Sequence, residues 1–217
     1  MTVRLVVFDV DGTLYSQRVL RALMVGELLV FLIRHPLRFR DVIIVREYRR
    51  VHETFHSMEC SNLEETLVAA VSARLSIGHQ QVRRVVSEWL FGRPLKYLRY
   101  VCFPEVKETI HHLKKSGVAV AFLSDHYPVG KLEALGFEAE QAYYSTRPDL
   151  NCLKPNPNLL SKILSDFGVL PCECVVIGDR DDRDGELARV AGARFILFPD
   201  KNDRAGLLTR IERCSFV

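Results

Sequence analysis

From Pro104 onward, apolar stretches of helical period and of strand period take turns, and this alternation limits the fold more than any other feature of the chain. PEVKETIHHLKKSG repeats its apolar residues at helical spacing and stops at Gly117, VAVAFLS is a short apolar run of strand type, and VGKLEALG is a second short helix. The cycle continues with QAYYS as a weaker strand, NPNLLSKILSDFG as a helix, ECVVIGD as a strand, DGELARVAG as a helix, ARFILF as a strand and NDRAGLLTRIERC as the last helix. Such alternation builds a parallel sheet through right-handed crossovers. The run TVRLVVFDV, with its strand at Val3 to Val10, is almost free of polar residues and reads as a strand buried on both faces of the same sheet.

Between that strand and Pro104 the period is different. From about Gln17 to about Trp89 apolar residues recur at helical spacing, with NLEETLVAAVSARLS beginning after a cap at Ser61 or Asn62 and HQQVRRVVSEWLF forming another amphipathic stretch. The expected architecture is therefore α/β: residues 1–15 and 96–217 form a Rossmann-like parallel sheet in a three-layer α/β/α core, and residues 16–95 form an inserted α-helical cap.

The segment Val19 to Ile33 contains Arg21 and Glu27 and is shorter than the roughly twenty apolar residues a membrane span needs, so no transmembrane segment is expected. Directly after it come Arg34, Arg38, Arg40, Arg46, Arg49 and Arg50. A solvated helix face accounts for them; so does contact with an acidic ligand, a membrane surface or a lipid-like substrate. A net charge of +3 on 217 residues gives no reason to expect nucleic acid as a partner. Six scattered cysteines (Cys60, Cys102, Cys152, Cys172, Cys174 and Cys214) without C-x-x-C spacing, and an N-terminal apolar run that ends in acids, fit a reducing cytoplasm.

The first strand ends in DVDGT, and loops at the carboxyl ends of parallel strands are where such sheets carry ligands. Asp-x-Asp-Gly is also ordinary turn chemistry, so the other strand ends decide its meaning. FLSD brings Ser124, CLKPNP brings Lys154, and VIGDRDDRDGELA brings Asp179, all to the edge that holds Asp9. Singly these read as a cap serine, a surface lysine and a solvated acidic loop. Together they supply a cation clamp, phosphate donors and a nucleophile, which metal-assisted phosphoryl transfer requires.

D-x-D-G-T at Asp9 to Thr13, Ser124 after an apolar strand, Lys154 before Pro155, and G-D-x-x-x-x-D from Gly178 to Asp184 resemble, in order and spacing, the four motifs of the haloacid dehalogenase superfamily. The helical insertion resembles the cap that many members carry between the first two motifs. The resemblance implies a phosphatase for a small phosphorylated metabolite: Asp9 attacks phosphorus and forms an aspartyl-phosphate, and Asp11 is the acid and base. It further implies Mg2+ on the Asp9 carboxylate, the Asp11 carbonyl, Asp179 and Asp184, and phosphate contacts from Gly12, Thr13, Ser124, Asp125 and Lys154. Asp11 and its strand partner Asp9, two residues apart, are expected on one side of the extended chain. Haloacid dehalogenases of the superfamily usually lack a carboxylate at the place of Asp11, so the resemblance favours phosphatase chemistry. A phosphomutase or phosphotransferase, or a silent binding module of the same fold, is the alternative.

Two positions depart from the family pattern. Asp125 stands where a neutral residue is usual, and a carboxylate there opposes an anion unless it points away, caps the next helix or reads a cationic group on the substrate; His126 beside it reads as a surface residue or as a donor to phosphate. In the last motif Asp179, Asp181, Asp182 and Asp184 crowd together, with Arg180 and Arg183 expected to balance them; Asp184 is preferred to Asp182 as metal support on the family's spacing.

Overall fold

The computed structural model describes residues 2–54, 62–199 and 206–214. Cys60, Ser61 and the first residues of the last expected helix lie outside them. Five parallel strands, β1 (Leu5–Asp9), β2 (Ala119–Ser124), β3 (Ala142–Tyr144), β4 (Cys174–Gly178) and β5 (Arg194–Leu197), form one sheet in the order β3-β2-β1-β4-β5. β1 is central, pairing Asp9 with Leu123 of β2 and Val7 with Val176 of β4.

Because successive side chains of a strand point to opposite faces, β1 feeds two separate cores. Val6 and Phe8 pack under α6 (Pro104–Lys115), α7 (Val129–Leu135) and α10 (Leu207–Arg213), through Val106, Ile110, Leu132 and Ile211. Leu5 and Val7 pack under α8 (Asn158–Phe167) and α9 (Glu186–Ala191), through Leu159, Ile163 and Leu187. This is the three-layer α/β/α arrangement. Burying a Leu, Val, Ile or Phe side chain contributes roughly 1.5–3 kcal/mol, so the two faces of β1 alone anchor the sheet firmly.

The connection from β1 to β2 carries α1 (Gln17–Arg34), α2 (Arg40–Thr54), α3 (Leu63–Leu75), α4 (His79–Val86) and α5 (Leu95–Val101). A third cluster, with Phe31, Ile44, Tyr48, Val51, Leu67, Val71, Val85 and Trp89, holds α1 to α4 together, and Leu153 of the α/β part reaches into it. α3 begins as the sequence indicates, with Asn62 Oδ1 accepting from Glu65 N at 3.1 Å. α5 has no counterpart in the sequence reading. Its Leu98 and Val101 pack with Val6 and Phe8, so it leans on the sheet side.

The chain leaves and re-enters the α/β part along one short seam. Ser16 N donates to Val101 O at 2.8 Å, Phe103 N donates to Leu14 O at 3.0 Å, and Tyr15 bridges Cys102. Cys102, Cys152, Cys172, Cys174 and Cys214 are free thiols. Among the described residues no helix is long and apolar enough to cross a membrane.

Candidate active site

β1 ends one residue earlier than its apolar run suggests, so Asp9 is its last residue and Asp11 already lies in the following turn. The expectation that strand alternation places both carboxylates on one side is therefore corrected: a turn, not the pleat, delivers Asp11. Gly12 makes this turn possible with φ at +104°, and a Cβ on it would stand 2.1 Å from Asp179 Oδ2. The glycine admits the acid at the end of β4 to within reach of Asp9.

Asp9 is 5% exposed. Its Oδ2 accepts from Thr13 Oγ1 at 3.0 Å and its Oδ1 from Lys154 Nζ at 2.5 Å; the same ammonium reaches Asp184 Oδ1 at 2.7 Å. One oxygen from each of Asp9, Asp179 and Asp184 lies within 4.8 Å of the others. Three carboxylates thus face one buried ammonium, a surplus of negative charge. Burial and the charges of Asp184 and Asp179 raise the Asp9 carboxyl well above its ordinary value despite Lys154. Burial and then Asp184 push Asp179 up to about 6. Burial opposes the charge on Lys154, but Asp184, Asp9 and Asp125 outweigh it and hold the ammonium above its usual range. A hard divalent cation bound by oxygens would relieve this surplus, so the donor set fits Mg2+.

Asp11 has different neighbours. Its Oδ1 accepts from Lys131 Nζ at 2.5 Å and from the Tyr15 hydroxyl, and its Oδ2 from Ser124 Oγ at 3.3 Å. Burial would raise this carboxyl, yet the charge and hydrogen bond of Lys131 outweigh burial and keep it well below the usual carboxylate range. Two acids separated by one residue are thereby driven in opposite directions.

Several expected phosphate contacts have other partners. Thr13 is fully buried and its hydroxyl holds Asp9. Ser124, also fully buried, donates to Asp11 and accepts from His126 N at 3.1 Å. The Asp125 side chain, expected at phosphate, is engaged by the protein: its Oδ1 accepts from Ser145 Oγ and from Lys154 N, both at 3.0 Å, and its Oδ2 from Arg183 Nη1 at 3.1 Å. Burial works against its charge, but Lys154, His52 and Arg183 keep it ionised. The carboxylate that ought to repel an anion is therefore neutralised as a brace behind the Lys154 loop. His126 is not a surface residue; it stacks on His52 of α2 with ring centroids 4.3 Å apart and meets the edge of Phe91.

In the acidic loop, Asp184 is buried beside Lys154 whereas Asp182 is exposed and paired with Arg180 at 2.6 Å. Gly178 makes room for Asp184, whose Cγ would lie 2.3 Å from a Cβ there. Arg183 adds its charge to this loop beside Asp182 and also reaches beyond it. It ties Asp125 to Glu53 of α2, with Nη2 to Oε2 at 2.6 Å.

A cavity of about 200 Å³ opens over these groups. Asp9, Asp11, Lys131, Lys154, Asp179 and Asp184 line its sheet side, and Arg21, Tyr48, Arg49, His52, Glu53 and Phe91 its helical side. Of the arginine run, Arg49 lines the cavity; Arg38 instead binds Asp41 at 2.5 Å and Glu88 at 2.7 Å. Sequence reasoning missed Tyr15, Lys131, His52 and Glu53. Tyr15 stands four residues after Asp11 and Lys131 in the first turn of the helix that follows the motif serine, faint signals at best, while nothing in the sequence links His52 or Glu53 to this edge.

A family model described as haloacid dehalogenase-like hydrolase matches residues 3–192. A phosphoserine phosphatase from Thermus thermophilus is 30% identical over 101 residues, 45% of this chain and 41% of that protein. A probable D-glycero-D-manno-heptose-1,7-bisphosphate 7-phosphatase from Thermoplasma acidophilum is 44% identical over 70 residues, 31% of this chain and 44% of that protein. The matched stretches span less than half the length of these curated relatives. Among solved structures, a 2-haloacid dehalogenase from Pseudomonas syringae superposes with a TM-score of 0.64 at 19% identity, over 98% of this chain and 99% of its own. A haloacid dehalogenase-like family hydrolase from Xanthomonas campestris gives 0.60 at 15% identity, over 99% and 93%.

Proposed function

The chain belongs to the haloacid dehalogenase-like hydrolase family, and on that premise we propose that it is a magnesium-dependent phosphatase that hydrolyses a small phosphomonoester through an aspartyl-phosphate on Asp9. The observation that supports this most is the opposite environment of the two acids: Asp9 within a carboxylate cluster under Lys154, Asp11 ionised against Lys131, both opening on one cavity.

In this reading Thr13 and Lys154 fix the Asp9 carboxylate, and one of its oxygens attacks phosphorus as the bond to the leaving oxygen breaks. Asp11 hands a proton to the leaving oxygen, with the Lys131 ammonium as its nearest source. It then takes a proton from the water that cleaves the aspartyl-phosphate, which returns both groups to their starting state. Asp9, Asp179 and Asp184, with the Asp11 carbonyl, would hold Mg2+, which when bound supplies charge stabilisation to the transferring phosphoryl group. Lys154 adds positive charge at the same place. Ser124 positions Asp11 and the backbone of His126, and Gly12 and Thr13 of the turn after β1 are assigned to phosphate contact in this reading. We take residues 1–15 and 96–217 as the catalytic core and 16–95 as the cap, and the cytoplasm as the compartment on the strength of the free thiols.

The test is phosphate release from a panel of phosphomonoesters with magnesium, repeated with chelator and with Asp9→Asn. Release is expected to stop with chelator and to fall by about 10⁴-fold or more in the variant. Intact-protein mass spectrometry is expected to find a phosphate adduct on the wild-type chain and none on Asp9→Asn. An adduct on the variant would move the nucleophile elsewhere; adduct without released phosphate would point to transfer onto another hydroxyl, the mutase or phosphotransferase alternative.

A further inference from the structure

α1 packs on the rest of the molecule through one side alone. Leu20, Met24 and Phe31 face inward, with Phe31 covered by the Arg38 and Arg93 guanidinium groups at 4.7 Å each. The opposite side is apolar and open: Val25 is 57% exposed, Leu29 58%, Val30 47% and Ile33 82%. The turn that follows extends the same kind of surface with Leu37 at 91% and Phe39 at 55%. Between Arg21 and Arg34 the one charged residue of α1 is Glu27, which turns inward to Arg93 at 2.8 Å and Lys96 at 2.7 Å. Single exposed apolar residues need no explanation, but a continuous stripe of them on a helix and its adjoining turn marks an interaction surface.

The charges around the stripe select what covers it. Arg18, Arg34 and Arg40 stand exposed at its ends, and none of them pairs with a carboxylate among the described residues. The acids of the neighbourhood are withdrawn: Asp41 and Glu88 are both held by Arg38. A second copy of the chain laid on this face, parallel or antiparallel, would bring basic ends against basic ends. An apolar face with a basic, acid-free border suits instead the boundary of a bilayer that contains anionic lipid, where the apolar residues enter the acyl region and the arginines meet headgroup phosphates. The length and charges of α1 fit lying in the surface; no described helix is long and apolar enough to cross.

We propose that the outward face of α1, continued by Leu37 and Phe39, docks the protein on an anionic lipid surface. α1 also gives Leu20, Arg21 and Met24 to the cavity wall, so docking brings the helical side of the cavity towards the lipid.

The experiment is flotation of the full chain with vesicles of equimolar phosphatidylcholine and phosphatidylglycerol, and with phosphatidylcholine vesicles alone. Binding is expected to the first and to be much weaker to the second. Ile33→Glu with Leu37→Glu is expected to reduce it about tenfold or more, and Arg34→Gln and Arg40→Gln by about fivefold each. These side chains are exposed, so circular dichroism and thermal melting are expected to show an intact fold. Failure to float on either vesicle, or floating that neither set of substitutions weakens, overturns the proposal. A dimer in sedimentation equilibrium that Ile33→Glu and Leu37→Glu dissolve, without vesicle binding, would assign the face to a second copy and overturn it equally. No step of this test depends on catalysis, so its outcome is separate from that of the phosphatase reading.

Discussion

The two walls of the cavity handle charge in opposite ways. On the sheet side Asp9, Asp11, Asp125 and Asp184 each touch a cation, and Lys131 and Lys154 each touch an acid. On the helical side Arg21 is held by the neutral Gln17 at 2.6 Å, and Arg49 has Arg21 as its charged neighbour. Burial and that like charge lower the Arg49 guanidinium from its ordinary value. Side chains fixed by one another can stabilise a transition state without reorganising, which suits chemistry common to many substrates. Glu53 on this wall is held by Arg183, and two guanidinium groups set near each other with no carboxylate paired to them among the described residues suit an anion that arrives with the substrate. On the proposed phosphatase reading, the difference gives reaction to one wall and selection to the other.

The largest expected effect comes from loosening the sheet side. Lys131→Met removes the cation that keeps Asp11 ionised, so burial is left to raise the Asp11 carboxyl towards neutral pH. We expect kcat at neutral pH to fall by about 100-fold, and the acid limb of the pH profile to move to higher pH because Asp11 then binds its proton more tightly. Lys131→Arg restores the charge and is expected to restore most of the limb. A lower kcat with an unmoved profile would reduce Lys131 to packing and weaken the contrast between the walls.

A smaller effect is expected where the walls meet. Burial, then His52 and Lys131, lower His126 from its ordinary 6.5 to about 3. Above 6.5 neither the folded nor the unfolded chain protonates this ring. As pH falls below 6.5 the unfolded chain takes up the proton and the folded chain does not, so stability is lost down to about pH 3, by roughly 1 kcal/mol per pH unit. His126→Asn is expected to flatten that loss. Urea unfolding of both proteins between pH 7 and pH 5 checks it, and parallel slopes would show that the ring is open to protons in the folded state.

How far the sequence carried the reading differs between the walls for the same reason. Strand and helix periods depend on burial, which is why the sheet, its insertion and the edge with Asp9, Lys154 and Asp179 were legible. The motif spacing points to Asp184, which lies buried beside Asp9 and Asp179, and Gly178 and Gly12 supply the physical ground, since each clears the space an incoming acid occupies. Where an effect depends on which residue touches which, spacing was silent. Asp125 looked like an obstacle to phosphate until Ser145, Lys154 and Arg183 were seen around it. His52 is an ordinary helix residue in the sequence, and the fold alone brings α2 across the sheet edge to set it on His126. α5 is not legible in the sequence because seven residues with Leu98 and Val101 as their buried positions are too short to establish a period.

The smallest effect sharpens the comparison most, because it concerns a residue the chemistry does not need. Arg49 lines the cavity from α2 with its guanidinium drawn among the cavity groups and belongs to no apolar core cluster, so Arg49→Ala removes charge without opening the core. If the helical wall selects, the variant is expected to raise KM by about tenfold for a phosphomonoester that carries a second anionic group, with kcat little changed, since uniform binding is lost and transition-state stabilisation is not. A minimal aryl phosphate has no group to reach α2 and is expected to lose less than about twofold by the same measure. Arg46→Ala, an exposed arginine of α2 that does not line the cavity, is the control for general charge and is expected to change neither substrate. Equal losses on both substrates would place Arg49 with the phosphate chemistry of the sheet side and erase the division of labour; no loss on either would leave its charge to solvent, and selection would have to come from the shape of the wall that Tyr48, His52 and Phe91 form.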